Sequence, residues 1–188
     1  MATIIEFSKQ YEDQVQDSRQ GLDGITENPD KPVNPVQGIA QGIRKDIAKT
    51  KTLTGIDLSD AKVESLPGNI GGIYYLGKGR TKIDQELLES GDEVARLQVL
   101  VHEAMHQVND KNSGGTRIKD EYFLESLNEL ATEKRTGEFL AENADKSDAQ
   151  KIASAVGRSV HQIITAYENG ENQELNTYFD LAQTKKAA

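Results

Sequence analysis

Two apolar spacings alternate along this chain, and the points where one gives way to the other divide it into elements. From Val36 to Lys51, Ile39, Ile43 and Ile47 recur every four residues between basic side chains, which predicts an amphipathic helix. From Ala61 to Leu88 the signal changes to short runs punctuated by glycine. Lys62–Leu66, Gly72–Gly77 and Thr81–Asp84 predict a small sheet of short, mostly antiparallel strands. The helical period returns from Asp92 to about Lys111, carried by Val94, Leu97, Leu100, Val101 and Met105, and Asn112-Ser113-Gly114-Gly115 marks its end. A second long helix is predicted from Lys119 to Asn143, with Phe123, Leu124, Leu127, Leu130 and Ala131 as its apolar stripe. Helices over 147–168 and 171–184 follow. At the other end, the polar stretch 3–20 predicts a short helix, and prolines at 29, 32 and 35 make Asn28–Pro35 a linker. This order of elements predicts an α+β fold.

Composition narrows the chemistry. Cysteine is absent, which removes thiolate nucleophiles and Cys-ligated metals and leaves histidine and carboxylates as the strong zinc ligands. A formal charge of −9 and a pI near 4.9 argue against a nucleic-acid partner, because displacing counterions from phosphates takes a basic surface. A protein or peptide partner fits better. The first ten residues lack the basic start and apolar run of a secretory signal, and no segment reaches the length of a membrane span. The expectation is a soluble chain, cytoplasmic or exported by a signal-independent route.

The candidate chemistry lies at His102-Glu103-Ala104-Met105-His106, which closes the apolar run beginning at Leu97. Residues four apart share one face of a helix, so both imidazoles can bind one zinc ion, with the Glu103 carboxylate beside them to take a proton from water. His102 and His106 are therefore the candidate metal ligands, Glu103 the candidate catalytic base, one Zn2+ the expected cofactor and peptide-bond hydrolysis the expected reaction. Hydrolytic zinc usually has three protein ligands and a water, so a third ligand must come from elsewhere. The metzincin pattern asks for Gly and His three and six positions after the second motif histidine; Asn109 and Asn112 stand there. The Gly-Thr-x-Asp pattern of deuterolysins is not met either, because Gly115-Thr116 is followed by Arg117 and Ile118, with Asp120 two positions late.

The next predicted helix supplies glutamates. Over Tyr122-Phe123-Leu124-Glu125-Ser126-Leu127-Asn128-Glu129-Leu130 the chain resembles the gluzincins, the zincin metallopeptidases that include thermolysin and the zinc aminopeptidases. In those aminopeptidases eighteen residues separate the second histidine from the ligand glutamate, as they separate His106 from Glu125 here. The resemblance implies Glu125 as third ligand. Two alternatives stay open: Asn128-Glu129 with Glu133 is similar to the thermolysin arrangement, which implies Glu129, and Glu121-Tyr-Phe-Leu-Glu125 looks like the helix of anthrax lethal-factor-like peptidases, which implies Glu121. The resemblance spans residues 61–135. It implies a zincin-like core within a single domain, comprising an N-terminal helix and linker (1–35), a catalytic core (36–145) and C-terminal helices (146–188). It also implies an edge strand beside the motif helix, at Ile73–Leu76 or Thr81–Asp84, to pair with extended substrate, and an oxyanion donor from His161, Tyr167 or Tyr178. The expected function is a zinc-dependent endopeptidase of the size of a secreted effector or toxin protease. The competing readings are a non-catalytic zincin-fold interaction module and a zinc hydrolase of a cell-wall amide.

Overall fold

A computed structural model describes residues 2–9, 35–90, 92–137 and 148–187 of the chain. The expected linker lies outside these residues apart from Pro35, as does most of the helix expected over 3–20. The elements are strand β1 (Ala2–Thr3), helix α1 (described over 4–9), α2 (Pro35–Thr54), β2 (Lys62–Glu64), β3 (Gly72–Tyr75), β4 (Arg80–Asp84), α3 (Gln85–Glu89), α4 (Glu93–Asn112), α5 (Glu121–Thr136), α6 (Asp148–Val156), α7 (Val160–Glu168) and α8 (Asn172–Ala187). This is the expected α+β class. Two compact units divide it: one holds residues up to Ile73 with Arg80–Leu100, the other holds Tyr74–Gly79 with Val101–Ala188. Among the described residues no helix is long and apolar enough to cross a membrane.

The first unit contains most of the sheet, whose strand order is β1-β2-β4-β3. β1 runs antiparallel to β2, with Ala2 opposite Val63, and β2 runs parallel to β4, with Val63 opposite Ile83. The sheet is mixed, because β2 and β4 pair in parallel. β3 takes an outer position, so β4 returns beside β2, and the buried Val63 and Ile83 end up in register. Asp84 fixes the end of β4: one carboxylate oxygen accepts from the Leu66 N–H at 2.8 Å, and the other caps α3 by accepting from the Leu87 N–H at 3.1 Å. The α2 stripe is buried at Ile43 and Ile47, with Ile39 half-buried. Val94, expected on the apolar face of α4, is instead 60 % exposed in the first turn of that helix, two turns before Val101 on the same face.

A buried ion pair crosses this unit. Asp46, between Ile43 and Ile47 on α2, accepts from Nε of Arg96 on α4 at 3.0 Å, and the two residues are 4 % and 1 % exposed. Burial pushes the Asp46 carboxyl above its ordinary value, and the Arg96 hydrogen bond and charge pull it back only in part. Removing one partner would strand a charge in an apolar interior. Asp46→Ala is expected to lower unfolding stability in urea by about 3–5 kcal/mol, whereas the double change Asp46→Leu with Arg96→Met recovers most of the loss. Equal stability of Asp46→Ala and wild type would refute this account.

The second unit is helical. Asp120 caps α5 by accepting from the Phe123 N–H at 2.8 Å, and Phe123, Leu124, Leu127, Leu130 and Ala131 are all buried as expected. The helix ends at Thr136, short of the expected Asn143. Gly137 adopts φ 83°, a left-handed conformation that stops the helix while its N–H bonds the Glu133 carbonyl; 138–143 lie outside the described residues. The single helix expected over 147–168 is two. Gly157 turns left-handed at φ 70°, and Ser159 starts α7 through a capping box with Gln162. Asn172 and Asn176 at the start of α8 bind the Thr116 and Arg117 carbonyls, tying α8 to the loop that leads into α5.

Candidate metal centre

His102 and His106 lie one turn apart on the half of α4 that belongs to the helical unit, and their rings meet edge-on with centroids 4.9 Å apart. α5 brings Glu125 to them. Its Oε2 is 3.4 Å from His102 Nε2, and its Oε1 is 3.4 Å from His106 Nε2. One donor atom from each of the three lies within 4.8 Å of the others, the arrangement of a group able to hold a metal ion. Two donors at about 2.0–2.1 Å from a tetrahedral zinc stand about 3.3–3.4 Å apart, and each histidine meets that spacing with a different oxygen of Glu125. The His106 side chain is 8 % exposed and that of Glu125 50 %. The group thus opens to solvent on its glutamate side, where a fourth position would face water.

The approach of α5 is fixed by packing and by one amide. Leu124 and Leu127 bury one side of the helix, while Asn128 Nδ2 donates to the His102 carbonyl at 2.9 Å. The Tyr167 hydroxyl donates to Asn128 Oδ1 at 2.8 Å, so this buried amide is held at both ends. Glu103 lies on the same turn as His102. Its Oε2 is buried with no hydrogen-bond partner. His106 Nδ1 is likewise buried and unpartnered. If Nε2 faces a cation, the ring proton resides on that Nδ1. Two imidazoles and one carboxylate, with an unengaged carboxylate oxygen adjacent, form a donor set suited to zinc.

The electrostatics follow from burial and crowding. Burial pushes the Glu103 carboxyl up to about 7, against the pull of His102. Burial also works against the charged form of Glu125, yet hydrogen bonds from His102 and His106 outweigh it and hold that carboxyl well below the usual range. For His102, burial lowers the imidazole, and Glu125, Glu103 and Glu129 together overcome it to leave a raised value. For the more deeply buried His106, desolvation wins and the value is lowered. Without a cation, the three side chains satisfy one another as an acid–base cluster.

Of the three glutamates proposed as third ligand, Glu125 joins the histidines. Glu121 and Glu129 are exposed on α5 one turn to either side and are not in the converging group. Asp120 is occupied as the α5 cap. None of the expected oxyanion donors is in the group either. His161 is exposed at the start of α7, Tyr167 is fully buried with its hydroxyl on Asn128, and Tyr178 bonds Glu174 beneath the Arg158 guanidinium. Sequence reasoning missed the Asn128 tether and Asp110, whose Oδ2 accepts from the Tyr74 hydroxyl at 2.8 Å. Asp110 carried a usable signal, because it continues the four-residue spacing of His102 and His106 along one face. Asn109, which served only to exclude one ligand pattern, is an internal brace: it exchanges side-chain hydrogen bonds with Asn172 at 2.8 and 2.9 Å and donates to the Tyr167 carbonyl.

A scan of protein-family models found no match to this chain, and searches of curated proteins and of solved structures found none either.

Proposed function

We propose that this chain is a zinc-dependent endopeptidase acting on protein or peptide substrates. The observation that carries the reading is the convergence of His102, His106 and Glu125 beside a buried glutamate with an unengaged oxygen. The likeness of this set to the gluzincin pattern supports zinc as the ion. When bound, zinc supplies Lewis acidity, acidifying water and polarising a scissile carbonyl. The chain's own residues do the rest. Glu103 takes up a proton at Oε2 and delivers it to the leaving amine, and Asn128 and Tyr167 keep the α4 backbone at His102 in place for that transfer. The Tyr74 ring lies 9° from parallel with His106, with centroids 6.5 Å apart.

The test is direct. Zinc-loaded protein is incubated with a casein-like protein and, side by side, with peptidoglycan, each with and without a chelator. Chelator-sensitive cleavage of the protein supports the proposal; cleavage of peptidoglycan alone moves the reading to a cell-wall amide hydrolase. Zinc binding without any hydrolysis moves it to a binding module.

A further inference from the structure

His106 is the most deeply buried of the three converging side chains, and its Nδ1 meets no acceptor among the described residues. A histidine that holds a metal through Nε2 is ordinarily turned by a bond from its Nδ1 proton to a carboxylate or a carbonyl. Its ring torsion is otherwise broad, so the plane must be set by whatever packs on the ring. Two rings do so here. His102 meets it edge-on with centroids 4.9 Å apart, and the phenol of Tyr74 lies 9° from parallel at 6.5 Å, within the range of offset-stacked pairs.

Tyr74 is itself anchored to the helix that carries His106. Asp110 is one turn beyond His106 on α4, and its Oδ2 accepts from the Tyr74 hydroxyl at 2.8 Å and from the Gly77 N–H at 2.8 Å. Arg117 Nη2 adds a bond to the Leu76 carbonyl at 3.3 Å. The residues Tyr74–Gly79 that these bonds hold belong to the same compact unit as His106.

We propose that Tyr74 is a positioning residue whose ring, pinned at its hydroxyl by Asp110, sets the plane of the His106 imidazole in place of an Nδ1 hydrogen bond and so keeps Nε2 turned toward Glu125. Helix geometry makes this possible, because positions 106 and 110 share one face and a ring anchored on the second reaches the first. His106 Nε2 stands 3.4 Å from Glu125 Oε1, and a rotated ring would carry it out of that reach. The consequence for zinc rests on the proposed ligand role of His106; the hold on the ring does not.

The test compares wild type, Tyr74→Leu, Tyr74→Phe, Asp110→Asn and Asp110→Ala by zinc titration and, in the zinc-free protein, by carbon-13 relaxation of each histidine ring. The chain has three histidines, so the ring signals are separable. In Tyr74→Leu the His106 ring order parameter is expected to fall from about 0.85 to below about 0.6, with His161 unchanged. Zinc Kd rises about tenfold in the same variant, the cost of losing a group that orients a ligand. Tyr74→Phe keeps the ring face and loses its anchor, and Asp110→Ala loses the same bond, so each weakens zinc about threefold. Asp110→Asn keeps an acceptor oxygen and stays within about twofold of wild type. Unchanged His106 ring order in Tyr74→Leu overturns the proposal, as does weaker zinc in Asp110→Ala without any change in Tyr74→Leu. Loss of order at His161 together with His106, the mark of general loosening, overturns it too. If the wild type binds no zinc while the His106 ring still loosens in Tyr74→Leu, the hold on the ring is supported and the metal reading falls.

Discussion

Glu103→Gln is expected to keep its zinc and its helices while losing hydrolysis by about 10²–10⁴-fold, the range supplied by a positioned general base. The substitution is nearly isosteric. Glutamine fills the same buried space next to His102, so the local packing is retained. What it removes is the ability to take up a proton at the oxygen that has no other partner. Neutralising a buried carboxyl held at about 7 also relieves desolvation, so the variant is expected to be at least as stable as wild type. Metal analysis, circular dichroism and kcat/KM separate the three effects. Equal kcat/KM in variant and wild type would eliminate Glu103 as the base, and a parallel loss of zinc would show that it helps to hold the ion.

The second large effect concerns the ligand set. Zinc binding to a four-ligand structural site is worth about 10–16 kcal/mol, so one ligand carries on the order of 3 kcal/mol, or about 10²-fold in Kd. His102→Ala, His106→Ala and Glu125→Ala are each expected to weaken zinc by at least that factor, whereas Glu121→Ala and Glu129→Ala leave Kd within about threefold. If zinc is lost in Glu129→Ala but not in Glu125→Ala, the assignment is wrong. The same titrations carry a pH signature. His102 is held above its ordinary value by the surrounding glutamates and must shed its proton to bind zinc, while Glu125, held low, is already ionised. Affinity should therefore fall as pH drops through the imidazole range, with protons released on binding. Calorimetry in two buffers of different ionisation enthalpy reads that release.

The sequence by itself determined the features that depend on residues close along the chain. Helical periodicity put His102 and His106 on one face with Glu103 beside them, and the same logic found α2, α4 and the stripe of α5. Apolar spacing does not report a left-handed glycine, so it carries α5 past Gly137 and merges α6 and α7 across Gly157. The polar Asp46 in an apolar stripe gave no hint of its partner, since Arg96 lies fifty residues away. Only the tertiary structure selected among the α5 glutamates. Glu121, Glu125 and Glu129 repeat every four residues on one stripe, so no local rule distinguishes them. The choice depends on how far α5 is slid and rotated against α4. That is set by burial of Leu124 and Leu127 and by the bond from Asn128 to the His102 carbonyl, contacts that bring Glu125 level with the two imidazoles.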